Sequence, residues 1–107
     1  MDEYYAPDGT PLTAVEWAEL FDLRKETVKQ AESWWHKRTV TDNGSVSTVW
    51  LGLNYNWTDW GDPEFWETMI FGGEYDQYTW RYSSRADALD DHEDIVRALR
   101  SGDVPGS

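Results

Sequence analysis

The sequence predicts an α+β domain: an antiparallel meander of about four strands, with one helix before it and one after, both packed on one face. Three observations carry this. The β-prone runs Ser47-Thr48-Val49-Trp50-Leu51-Gly52-Leu53-Asn54, Glu67-Thr68-Met69-Ile70-Phe71 and Arg81-Tyr82-Ser83 stand in series. Turn chemistry separates them. A capped amphipathic stretch precedes them and a second follows. A chain of 107 residues makes this one domain.

Residues 1–11 read as an irregular arm, because Pro7-Asp8-Gly9-Thr10-Pro11 is turn chemistry. The first helix starts at Thr13. Glu16 lies three residues on and completes a capping box, and Leu12 and Trp17 are placed as a hydrophobic staple. Trp17, Leu20 and Phe21 form its apolar side. Residues 24–33 fit a continuation or a second helix. Trp34 to Thr41 reads as a strand, and Asp42-Asn43-Gly44 as a hairpin, since Asn-Gly suits a type I′ turn.

Residues 45–55 form the return strand. Val49, Leu51 and Leu53 point one way; Val46, Thr48 and Trp50 point the other. Trp57 to Pro63 is a loop. Residues 65–71 and 77–82 make two further strands around a Gly72-Gly73 turn. Ser84 and Asp87 open the last helix, whose stripe is Leu89, His92, Ile95, Val96 and Leu99, and Gly102 stops it. Residues 103–107 read as a loose tail. The expected core is Trp17, Phe21, Val49, Leu51, Leu53, Ile70, Leu89, Val96 and Leu99, with Trp50 and other aromatics on the opposite sheet face.

Charge excludes several functions. The formal net charge is −12, which opposes direct binding to nucleic acid or to anionic lipid and favours a basic partner. Residues 23–40 depart from this. They hold Arg24, Lys25, Lys29, Lys37 and Arg38 against Glu26 and Glu32, a local charge of +3 (five minus two). Pairing with acidic neighbours within the molecule is the simplest account. There is no cysteine, hence no disulfide and no thiolate metal site. No run approaches the ~20 apolar residues of a membrane helix, and no signal peptide is visible. The expected location is the cytoplasm.

His92 and Glu67 are the candidate catalytic residues. His92 lies on the apolar stripe among Asp90, Asp91, Glu93 and Asp94; as a structural residue it would hydrogen-bond the sheet. Glu67 sits in an apolar strand and needs a partner, for which Arg81 is placed on the next strand. Together the two could perform acid–base chemistry. No metal ligand set and no cofactor motif is present. The candidate binding residues are Trp50, Tyr55, Trp57 and Trp60 with Asp59 and Asp62, because aromatic and polar groups together suit a protein contact.

Asp8-Gly9-Thr10-Pro11-Leu12, Glu16-Trp17-Ala18, Val46 to Asn54, Phe65, Glu67 to Gly73, Arg81-Tyr82-Ser83, Ala88 and His92 form one further pattern. In their spacing the chain resembles a family of small acidic proteins encoded mostly by phages of actinobacteria. The likeness covers most of the chain. Asn54-Tyr55-Asn56-Trp57 stands where that family would carry an aspartate and a histidine, and residues 24–35 are longer than usual. The resemblance implies a phage origin and a fold, and it transfers no activity. The expectation is a small accessory protein that binds a host or phage protein. The alternatives are an acidic DNA mimic or anti-defence inhibitor, a self-associating domain forming a homodimer, and a small enzyme using His92 and Glu67.

Overall fold

The structure is a computed structural model that describes residues 3–25, 30, 32–56, 58 and 60–106. The chain runs β1 (Tyr4–Tyr5), β2 (Pro11–Leu12), α1 (Ala14–Lys25), β3 (His36–Thr41), β4 (Gly44–Trp50), β5 (Trp66–Phe71), β6 (Thr79–Tyr82) and α2 (Arg85–Ser101). The last four strands form an antiparallel meander in the order β3-β4-β5-β6. The fold is α+β, as the sequence predicts.

Both helices start where their caps dictate. Thr13 Oγ1 accepts from Glu16 N–H, and Glu16 Oε1 accepts from Thr13 N–H, a complete capping box. Ser84 Oγ accepts from Asp87 N–H. Gly102, at φ 75°, ends α2 in the left-handed region. Of the helix expected across residues 24–33, Arg24 and Lys25 belong to α1, Glu32 forms an isolated bridge with Lys37 instead, and residues 26–29 and 31 lie outside the described residues.

The register corrects the expected core. Val46, Thr48 and Trp50 of β4 pair with Ile70, Thr68 and Trp66 of β5, and all six are buried. This is the face that α2 covers with Ala88, His92, Ile95, Val96 and Leu99. Val49 lies on the opposite face, and Leu51 and Leu53 follow the end of β4, all half-buried. Trp50, expected outside, is at the centre of the core. Its indole N–H donates to Tyr5 O at 2.8 Å, which satisfies the one polar atom that would otherwise resist burial. Likewise Ala88 occupies the buried place expected of Leu89.

Residues 3–11 are not an irregular arm. β1 and β2 form a two-stranded ribbon that docks on the end of β4, with Tyr5 N–H donating to Gly52 O and Asn54 N–H to Glu3 O. Trp66 Nε1 donates to Pro7 O, and Tyr5 stacks on Phe65 at 5.2 Å between centroids. α1 packs on this ribbon and reaches the sheet through Phe21, whose ring lies 6.0 Å from that of Trp50. The tail is also placed: Asp103 N–H donates to Ala98 O, and Pro105 is buried.

Two glycines are set by close approach. The β3–β4 loop is Asp42–Asn43. Among described non-glycine residues only Gln77 has a positive φ, so the loop is not the expected type I′ turn. Gly44 instead opens β4 at φ 134°, where a Cβ would meet Gly72 O at 2.8 Å. At Gly52, φ 75°, a Cβ would stand 2.2 Å from Trp17 Nε1. Gly52→Ala should therefore destabilise the protein by about 2–4 kcal/mol, from left-handed backbone strain plus overpacking; urea unfolding measures it.

Candidate functional site

His92 is the one fully buried ionisable side chain among the described residues. β3 and β4 each present a threonine to it. Thr39 Oγ1 lies 2.9 Å from Nε2 and Thr48 Oγ1 lies 2.8 Å from Nδ1. Thr48 continues to Thr68 Oγ1 of β5 at 2.6 Å. Burial, then the nearby Lys37 ammonium, push the His92 pKa down to about 4, against weaker opposing effects of Glu93 and Glu32. The ring is thus neutral near pH 7, with one nitrogen donating and the other accepting. Beyond Thr68, Tyr82 donates to Asp91 Oδ2 at 2.5 Å, and burial raises the phenol far above its usual range.

Glu67 is elsewhere. It pairs in register with Val49 and Arg81, on the face away from α2. Its Oε2 lies 3.2 Å from Arg81 Nε, the structural partner named from the sequence. The sheet stands between Glu67 and His92, so the two do not converge on one cleft. The acid–base pair expected from the sequence is not formed. His92 has the structural role: it joins α2 to two strands.

The candidate binding residues divide. Trp50 is in the core at 0% exposure and cannot touch a partner. Trp57 and Asp59 lie outside the described residues. Tyr55 is half-buried, with the Arg81 guanidinium 4.8 Å from its ring centroid. Trp60 is 83% exposed, and Asp62 beside it is exposed.

The backbone under Trp60 is held by two asparagines. Asn54 Oδ1 accepts from Asn56 N–H and Glu64 N–H. Asn56 Nδ2 donates to Trp60 O at 2.7 Å and to Asp62 O at 3.0 Å. Asn56 Oδ1 accepts from Thr58 N–H. Short amide side chains do this readily because they mimic a backbone turn. Their spacing at 54 and 56 was visible in the sequence, yet their role was not.

Several carboxylates that a DNA mimic would present are engaged internally. Asp91 accepts from Tyr82, Asp94 pairs with Arg97 at 2.9 Å, and Asp76 accepts from Gly72 N–H. Among the described residues no group of three or more His, Cys, Asp or Glu could hold a metal ion, and no helix is long and apolar enough to cross a membrane.

No protein-family model, curated protein or solved structure matches this chain.

Two measurements test the role of His92. Thr48→Val should cost about 2–3 kcal/mol, because it leaves His92 Nδ1 and Thr68 Oγ1 short of a partner in the core; thermal or urea unfolding reads this. The pH dependence has a definite sign. The folded pKa of about 4 lies below the ordinary 6.5, so the unfolded chain takes up the proton first. The stabilisation is complete above pH 6.5 and is lost as pH falls toward 4. Between pH 7 and 4.5 the loss should be about 2–3 kcal/mol, and His92→Gln should lack that portion in parallel urea titrations.

Proposed function

We propose that this chain is a small phage-encoded accessory protein that works by binding another protein, without catalysis of its own, and that the loop around Trp60 is its contact. The supporting observation is the combination of an 83% exposed tryptophan with a backbone pinned beneath it by Asn54 and Asn56. An exposed tryptophan is a large apolar area left in water, and tryptophan is enriched among the residues that dominate binding energy. Backbone already held at Asn56, Trp60 and Asp62 loses little conformational entropy when it docks. Asp62 and the net charge of −12 favour a partner with a basic surface and speed the encounter. A host or phage protein of that character fits the expected origin.

The acidic-mimic reading has less support, since three of its carboxylates are tied into the fold. The enzyme reading loses its residue pair to the intervening sheet.

The test is an affinity capture from an actinobacterial lysate with the wild-type chain and with Trp60→Ala, with and without nuclease. Trp60 makes no core contact, so the variant should keep its stability to within about 0.5 kcal/mol. A protein retained by the wild type at low salt should be retained at least ~30-fold more weakly by the variant. Equal retention by both chains would remove the loop from the interface. A mass that doubles with concentration in light scattering, with no captured protein, would replace the proposal with homodimer formation.

A further inference from the structure

We infer that a cavity on the sheet face away from α2 binds a small organic anion, a carboxylate or phosphate on an apolar body. The cavity holds about 350 Å³, within the size range of small-molecule sites. Its floor follows from the strand register. His36 pairs with Val49 and Arg38 with Ser47, so these four side chains stand together on one face. The last turn of α1 supplies one wall through Arg24 and Lys25, and Gln30 another.

The lining is the reverse of the chain's charge. Acidic residues outnumber basic ones 21 to 9 overall, yet among the described residues that line the cavity none is acidic and three are Arg or Lys. Four of the described cations are paired with carboxylates, one of them, Lys25, in the lining itself. Lys37 is paired with Glu93, Arg81 with Glu67, Arg97 with Asp94 and Lys25 with Asp22. Arg38 pairs with Ser47 through its backbone, and its guanidinium has no ion pair and no hydrogen bond among the described residues. Arg24 and Lys25 also offset the negative end of the α1 dipole; Arg38, on a strand, has no such role. Intramolecular pairing therefore accounts for part of the basic segment and leaves Arg38 over.

The remaining lining fixes the ligand class. The Arg24 guanidinium carbon lies 4.1 Å from the Phe21 ring centroid, its Nη1 donates to Trp50 O at 3.3 Å, and burial lowers its pKa, so the cation stands in a poorly solvated place where an anion gains most. Arg38 offers a planar donor fork to a carboxylate or phosphate. Val49 and the aliphatic stems of the basic side chains accept an apolar body. His36 serves as a fixed wall: its Nε2 donates to Gln30 O at 2.5 Å and its Nδ1 lies 2.9 Å from Ser33 Oγ. This site lies on different residues from the Trp60 loop and does not depend on the reading given to that loop.

The test is amide-resolved NMR titration of the full chain at low salt with four probes: benzoate, phenyl phosphate, inorganic phosphate and the neutral benzyl alcohol. Both aryl anions should give saturable shifts centred on Arg38, Ser47 and Val49, and benzyl alcohol should not. The ratio of the two aryl affinities then assigns the headgroup. Arg38→Gln, at an exposed position, should weaken aryl-anion binding roughly tenfold, the worth of one charge-assisted hydrogen-bonded contact. Ser47→Glu, which adds a carboxylate to the floor, should abolish it. Equal shifts with benzyl alcohol, unsaturable shifts spread over every exposed cation, or undiminished affinity in folded Arg38→Gln would overturn the inference.

Discussion

The imidazole of His92 is where helix and sheet are locked together. Ile95, Val96 and Leu99 give α2 its affinity for the sheet, but apolar contacts tolerate sliding. Two hydrogen bonds from one ring to threonines on different strands do not. A one-turn shift of α2 would cost both ring nitrogens and the Thr39 hydroxyl their partners, leaving Thr48 with Thr68 alone, and each group left short carries a desolvation cost. The polar cluster thus sets the position of the helix, while the apolar cluster supplies its adhesion. The C-terminal end of α2 is fixed as well, since Asn43 Nδ2 in the β3–β4 loop donates to Leu99 O at 2.6 Å.

The same arrangement explains which parts of the fold were legible in the sequence. Helix starts were, because a capping box is local chemistry that needs no knowledge of the remainder. The order of strands was also legible, because Asn43-Gly44 and Gly72-Gly73 interrupt the β-prone runs. The inward face of β4 was not. Its two faces read Val46-Thr48-Trp50 and Val49-Leu51-Leu53, and hydrophobicity alone favours the second. The first won because Thr48 has His92 and Thr68 as partners and Trp50 has Tyr5 O, and none of these is near in sequence. Leu51 and Leu53 also fall beyond the strand, past the point where Gly52 lets the chain turn under Trp17.

Function was legible to a smaller extent. The Trp60 loop was marked by composition, yet composition could not separate Trp60, in water, from Trp50, in the core. The Glu67–Arg81 pair was readable from strand order, whereas its separation from His92 depends on which face each residue takes. The basic run between residues 23 and 40 was plain as a charge asymmetry. Its division into a paired Lys37 and an Arg38 with no ion pair among the described residues follows from strand alternation: Lys37 faces α2, where Glu93 waits, and Arg38 faces away.

The ribbon of β1 and β2 has a consequence for the order in which the molecule assembles. Its two indole anchors join residues 45 and 59 positions apart in the chain, Trp50 to Tyr5 and Trp66 to Pro7. Neither anchor can aim its N–H until β4 and β5 have paired and turned both rings to the same side. Closing such loops is entropically costly until there is a formed surface to receive the segment. Residues 4–12, synthesised before the sheet that receives them, are therefore among the last to find their place, and the nascent chain carries Tyr4, Tyr5 and Leu12 in water until the second hairpin is complete.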